Sequence, residues 1–551
     1  MPERHDPERY DYVIVGAGSA GCVLANRLTE DPDTTVLLLE AGGRDRQFFY
    51  RLALGFHSWR YPETNWGYVT EPEPHLGGRR IPIPRGRVLG GSSTVNGMLY
   101  SRGHPRDYDH WRQMGCEGWG FADVLPYFRR SETNWRGENL WHGGDGPLQV
   151  SRIDTRKLLH EPYMEAAQRL GYPITDDHHG AFPEGFGGGD TTTTRRGRRS
   201  SAAQAYLHPV TSRPNLTVRT GALTTRIQIE NARAVGVEYR RGGTAETVRA
   251  EREVLLAGGV YNSPQLLMLS GIGPADHLRE LGIKPLFDLP GVGANLSEHA
   301  AFWVEYATRE PISLLNELRV DRLALSLVRW ALFGTGVLAS QCNSCHAEIR
   351  SRPGLEQPDL QFYFNPVRAD AKPWFPGIGR RQEHLVTAVG CLLQPASRGW
   401  MKLRSADPAD PPRITLNLMA DRRDVDALIR GVRIARDVYR TEPMASLVDR
   451  EVRPGAAIET DEEIENFLRK TIATSHHSVG TCAMGIGSHS VVDPKLKVHG
   501  IEGLRVCDAS IMPTVPGGNT NAPTIMVGEK AADLVRGRSL PRDDLDLQAA
   551  A

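Results

Sequence analysis

Tyr12-Val-Ile-Val-Gly16-Ala-Gly18-Ser-Ala-Gly21 runs from an apolar strand pattern straight into a glycine triplet. Cys22 to Leu28 continues as a helix, and Val36 to Leu39 as a second strand ending in Glu40. This order predicts a βαβ unit. Each glycine has a mechanical job. The first makes the turn, the second lets a pyrophosphate approach, and the third lets helix and strand pack closely. Phosphates would rest on free N–H groups at the helix start. Glu40 follows Gly18 by 22 residues, where a carboxylate accepts a ribose hydroxyl. The pattern reads as dinucleotide binding, and the triplet alone does not choose between NAD and FAD. A glycine turn beside an exposed glutamate is the bland alternative.

Beyond this unit the chain has 551 residues, enough for two or more domains. Its 66 Lys and Arg balance 66 Asp and Glu, so there is no global pull toward nucleic acid. Seven cysteines form no dense framework, which favours a reducing compartment. The opening MPERHDPERY lacks the apolar centre of a signal peptide. No apolar run is long enough to span a bilayer; Leu323 to Ala339 carries Arg329 and reads as an amphipathic core helix. A cytoplasmic protein without an integral membrane segment is expected, with peripheral membrane contact left open.

Strand patterns return at Leu216 to Arg219, Arg226 to Ile229, Ala234 to Tyr239 and Val254 to Ala257. Residues 79–102 and 177–201 read as loops rich in turn formers. From about 300 to 470 the chain mixes strands with amphipathic helices such as Asp424 to Tyr439. The strand Leu504 to Cys507, a Pro/Gly loop and a helix from Thr524 to Arg536 close the fold, and the tail from Gln548 frays.

Two long segments narrow the reading. They are Arg85-Gly-Arg-Val-Leu-Gly-Gly-Ser-Ser-Thr-Val-Asn-Gly97 and Leu255-Leu-Ala-Gly-Gly-Val-Tyr-Asn-Ser-Pro-Gln-Leu-Leu-Met-Leu-Ser-Gly-Ile-Gly-Pro274. Together with His477 to Gly485, Gly503 to Asp508 and Gly518 to Val527, they resemble the glucose–methanol–choline (GMC) family of flavin oxidoreductases, and its choline-dehydrogenase-like bacterial branch most. The resemblance implies an α/β fold. It pairs a Rossmann-like FAD-binding domain with a discontinuous α+β substrate domain built on an antiparallel sheet. The expected FAD-binding segments are 1–155, 211–300 and 476–540. The expected substrate segments are 156–210 and 301–475, and 541–551 is a tail.

By the same resemblance, Gly16, Gly18, Ser19, Ala20 and Gly21 hold the pyrophosphate of FAD and Glu40 its ribose. Arg87, Gly91, Ser92, Asn96 and Gly97 run along the ribityl chain and ring, and Thr224 meets the adenine. Asp508, Ala522, Pro523 and Thr524 close over the flavin end. In some relatives a histidine of the second segment bonds covalently to flavin. Val95 stands there and has no nucleophile, so FAD is expected to be non-covalent.

Alcohol oxidation needs a group that removes the hydroxyl proton as hydride leaves carbon. The family register puts this base at His477, with Asn521 as the second partner; an amide cannot take a proton at neutral pH but can orient the oxygen. His476 is expected to be structural. The expected reaction takes an uncharged primary alcohol to the aldehyde, with electrons passed to a quinone-like acceptor or dioxygen. Choline dehydrogenase, alcohol oxidase and hydroxynitrile lyase are the alternatives. Choline-type members carry a glutamate where the turn Arg350-Ser-Arg-Pro353 places Ser344, and a neutral serine there argues against a cation. Cys342-Asn-Ser-Cys345-His346 matches a haem-attachment pattern. Without an export signal or a fourth zinc ligand, free thiols near a strand are the better reading. The Arg195 to Arg199 run reads as a solvated loop.

Overall fold

The computed structural model describes residues 8–53, 61–155, 158–339, 341–368, 370–378 and 382–543. The expected frayed tail from Gln548 lies outside them.

The glycine triplet sits where the sequence places it. Strand β1 (Glu8–Val15) enters it, α1 (Ser19–Leu28) leaves it, and β2 (Val36–Glu40) follows. All five residues of β2 are buried, as befits a parallel strand covered on both faces. Next come β3 (Leu216–Thr220), β4 (Ala222–Glu230), β5 (Arg233–Arg241), β6 (Thr244–Leu256) and helix α2 (Gly259–Leu269). One seven-stranded sheet runs in the order β3-β2-β1-β6-β5-β4, and the strand Leu504–Val506 pairs with β6. Strands β3, β2, β1, β6 and Leu504–Val506 are parallel, while β4 and β5 add antiparallel neighbours. The close packing expected of the triplet is literal: a Cβ on Gly21 would stand 1.9 Å from the Gly16 carbonyl oxygen.

The second sheet also has seven strands, all antiparallel to their neighbours. Its centre is β7 (Ala300–Thr308), β8 (Cys345–Ile349), β9 (Leu360–Asn365) and β10 (Leu385–Leu392). Edge pieces come from Gly185–Gly187 and Val448–Arg453. Helix α3 (Val320–Phe333) lies between β7 and β8 in the chain, and α4 (Arg422–Arg440) packs on β7 and β10. Both sheets are thus assembled from separated segments of the chain.

Helix α3 corrects one expectation. The stretch from Leu323 forms a surface helix in which only Ser326 and Trp330 are buried, and Leu325, Val328, Leu332 and Phe333 face outward. Among the described residues no helix is long and apolar enough to cross a membrane.

The final helix α5 (Asn521–Val535) lies against α1. Its Glu529 is fully buried, accepts from Arg27 at 2.9 Å and from the Tyr206 hydroxyl at 2.8 Å, and is ion-paired with Arg130 at 2.8 Å. Removing one member of such a group strands the other charges. Glu529→Ala should therefore cost about 3–5 kcal/mol in denaturant unfolding; a loss under about 1 kcal/mol would show that water reaches these guanidiniums freely.

Candidate active site

A cavity of about 640 Å³ is lined by both sheets. Val15, Leu39 and Leu256 come from strand ends of the first, and Ala301, Trp303 and Tyr363 from the second.

At the first sheet, α1 begins at Gly18 with no side chain capping it. Its first-turn N–H groups are therefore available to a phosphate. Gly91 closes the other side, where a Cβ would come 2.8 Å from the Gly18 Cα. Glu40 accepts the N–H groups of Ala17 at 3.0 Å and Gly42 at 2.8 Å. Burial pushes its carboxyl up to about 7. The Thr224 hydroxyl lines the cavity, buried and without a partner among the described residues. An uncapped helix start, a carboxylate at the end of β2 and an orphaned hydroxyl fit the phosphates, ribose and adenine edge of a dinucleotide.

Gly16, Gly18, Ser19, Ala20, Glu40, Gly91, Ser92, Asn96, Gly97, Thr224, Asp508 and Thr524 all line this cavity. Gly21, Arg87, Ala522 and Pro523 do not. Gly21 packs against Gly16, and Arg87 stacks on Trp66, 5.0 Å from its centroid, so Arg85 and Gly86 form the wall instead. Arg199 departs from the solvated-loop reading. It is 2% exposed and donates to the Asn96 carbonyl at 2.8 Å and the Asn96 side-chain oxygen at 2.7 Å, holding the 93–96 loop in place.

At the far end stands His477. Its backbone N–H donates to Glu298 at 2.7 Å, and the Ser478 hydroxyl donates to the other oxygen of the same carboxyl group. Its ring lies between His299, with the two Nδ1 atoms 3.0 Å apart, and Asn519, whose amide nitrogen is 3.0 Å from Nε2. His299 Nε2 meets the Leu393 carbonyl at 3.1 Å. A carbonyl can only accept, so His299 carries its proton on Nε2 and its Nδ1 is bare. His477 must then carry its proton on Nδ1, leaving Nε2 bare. Burial holds His299 down to about 4, and burial with the nearby His299, His476 and Arg85 keeps His477 well below the usual histidine value. The result is a neutral imidazole whose one lone pair, on Nε2, faces the Asn519 amide at the cavity wall.

The structure moves the second partner by two residues. The Asn521 side-chain oxygen accepts from the Ser19 hydroxyl at 2.8 Å, tying the start of α5 to the start of α1. The amide that faces His477 belongs to Asn519. Asp107 holds its loop, accepting the Gly517 N–H at 2.7 Å and Gln394 at 2.9 Å. His476 also lines the cavity, in a left-handed backbone conformation (φ 66°). Cys345 and His346 are successive residues of β8, whose side chains take opposite faces, so the Cys342 motif is not gathered around one point. Sequence reasoning missed Glu298, His299 and Tyr363; nothing local marks them.

The GMC oxidoreductase N-terminal profile matches residues 10–301, and the C-terminal profile matches residues 395–528. A mitochondrial choline dehydrogenase of Mus musculus is 44% identical, covering 97% of this chain and 91% of the relative. An oxygen-dependent choline dehydrogenase of Sinorhizobium fredii is 44% identical, covering 96% of each. Among solved structures, pyridoxine 4-oxidase from Mesorbium loti aligns with a TM-score of 0.85 at 30% identity, over 95% of this chain and 98% of that one. A formate oxidase variant from Aspergillus oryzae aligns with a TM-score of 0.90 at 28% identity, over 97% and 99%. The chain belongs to the GMC oxidoreductase family, as an FAD-dependent enzyme that acts on CH–OH groups.

Proposed function

We propose that the chain oxidises a small primary alcohol to its aldehyde at the His477–Asn519 end of the cavity. The observation that carries this is the bare Nε2 of a neutral, buried His477 beside an amide donor. Bound FAD supplies the acceptor for the hydride that leaves the alcohol carbon. His477 Nε2 takes the hydroxyl proton, and the Asn519 amide donates to the alcohol oxygen and orients it. Ala301, Trp303, Tyr363 and Val389 keep water from the reacting atoms. The first turn of α1, Glu40 and Thr224 hold the dinucleotide, and Asn96 and Gly97 line the path toward the ring.

Choline is the first substrate reading, supported by the choline dehydrogenase relatives and by the aromatic walls Trp303 and Tyr363, which suit a quaternary ammonium. One observation favours an uncharged primary alcohol instead. Ser344 is neutral and buried, and the carboxylates lining the cavity are Glu40 and Asp508 at the nucleotide end and Asp370, which Arg368 already holds at 2.9 Å. FAD bound there would be reoxidised by a quinone-like acceptor or by dioxygen.

Four outcomes test these assignments. With Val95 in place of a nucleophile, acid precipitation should leave yellow flavin in the supernatant; a yellow pellet contradicts non-covalent binding. His477→Ala should slow anaerobic flavin reduction by about a hundredfold or more. Asn519→Ala should slow it by about tenfold or more and Asn521→Ala by less, the size expected for losing a donor aimed at the reacting oxygen; equal effects of the two Asn variants would remove the distinction. Steady-state kinetics with choline, benzyl alcohol and hexanol should rank choline first in kcat/KM if the aromatic walls dominate, and last if the neutral Ser344 position does.

A further inference from the structure

Beyond Asn519 the hydrogen bonds continue away from the cavity into the second sheet. The Tyr363 hydroxyl is 2.7 Å from the Asn519 side-chain oxygen and also touches the Gln361 side-chain oxygen. The amide nitrogen of Gln361 is 3.0 Å from Glu348 and 3.1 Å from His346 Nε2. Glu348 and Gln361 are cross-strand partners on β8 and β9. Glu348, Gln361 and His346 are at most 3% exposed, and none of them lines the cavity. A buried carboxyl group that the chemistry does not touch is thus wired to the base by side chains alone.

The direction of each bond in this wire is constrained. The Leu393 carbonyl leaves His477 Nε2 bare, so Nε2 accepts from the Asn519 amide, and the Asn519 oxygen must accept from Tyr363. The single phenolic proton of Tyr363 is then spent, so its oxygen can only accept from Gln361. That requires the Gln361 amide to turn its nitrogen toward Tyr363 and its oxygen toward Glu348. A carboxylate facing that oxygen would repel it, whereas a protonated carboxyl group donates to it. With Glu348 ionised, Gln361 turns its nitrogen back to the carboxylate. That is the orientation the structure shows: Tyr363 then faces two acceptor oxygens with one proton, and its hold on Asn519 is shared with Gln361 and weakened. We propose that Glu348 is a positioning residue, whose proton sets the direction of the chain Glu348–Gln361–Tyr363–Asn519 and so keeps the Asn519 amide nitrogen turned toward His477 Nε2. The inference rests on His477 being the base.

The surroundings of Glu348 allow the switch. His346 precedes it on β8, and His178 stacks on His346 with centroids 4.5 Å apart. Burial presses both imidazoles far below the usual value, so both are neutral. His104 and Asp107, at the start of the helix Pro105–Gln113, face the same carboxyl group, with Arg106 and Glu184 behind His104. Burial outweighs the Gln361 hydrogen bond and pushes Glu348 up to about 7. The sign follows. Below that value Glu348 holds its proton and the chain is complete; as pH rises through it, the chain loses direction.

The test is anaerobic flavin reduction of the holoenzyme, with choline and with benzyl alcohol, from about pH 5 to about pH 9. In the native enzyme the rate constant should fall about two- to tenfold through neutral pH, the worth of one neutral hydrogen bond. Glu348→Gln donates to Gln361 at every pH, so it should abolish this fall and keep the acid-side rate. Tyr363→Phe cuts the wire; it should abolish the fall and stay at the low rate, and the double variant should match Tyr363→Phe alone. Nitrogen-15 histidine spectra give a readout independent of turnover: the Nε2 signal of His477, which reports the amide donor facing it, should hold to alkaline pH in Glu348→Gln and shift in the native protein. A fall that survives in Glu348→Gln, or variant effects that multiply, overturns the inference. Should His477→Ala reduce flavin normally, the parent assignment fails instead, and the nitrogen spectra still report whether the chain exists.

Discussion

Two imidazole nitrogens 3.0 Å apart can share only one proton, and the carbonyl of Leu393 decides which ring supplies it. Everything chemical at this site follows from that constraint. His299 and Leu393 flank β7 and β10, neighbours in the second sheet, so the sheet register fixes the tautomer of His477. Glu298 holds the same turn through the backbone N–H of His477 and the hydroxyl of Ser478. The first sheet supplies the complementary half: a glycine turn, an open helix start and Glu40. One sheet places a dinucleotide and the other places a proton, and the cavity is where their edges meet.

How much of this was legible in the chain depends on range. The βαβ unit, Gly16 to Gly21 and Glu40 are local, and local spacing reports them faithfully. His477 was found through a motif resemblance that spans several residues. Asn521 was misplaced because two asparagines flank one threonine in Gly518 to Asn521, and both lie at the mouth of α5. Only the third dimension shows that Asn521 turns to Ser19 and Asn519 to His477. Glu298 and His299 were invisible because their partners lie 178 to 180 residues away. Helix α3 departs from the expected core helix: Leu325, Val328, Leu332 and Phe333 lie on the surface while Ser326 and Trp330 turn inward.

Burial exacts a chemical trade at His477. The desolvation that keeps the ring neutral also makes it a weaker base, so proton transfer from an alcohol is uphill unless something else lowers the barrier. Three features of the site do so. In the proposed reaction Asn519 would offer a donor to the oxygen that becomes electron-rich, in a pocket walled by Trp303 and Tyr363, where such a dipole acts with little screening. FAD, when bound, would supply the hydride acceptor, so a base at His477 would not need to be strong. Positioning through Asp107, which pins Gly517 two residues before Asn519, limits the reorganisation needed when substrate arrives. A weak base that is always unprotonated, beside a fixed donor, serves this reaction better than a strong one that spends most of its time as imidazolium.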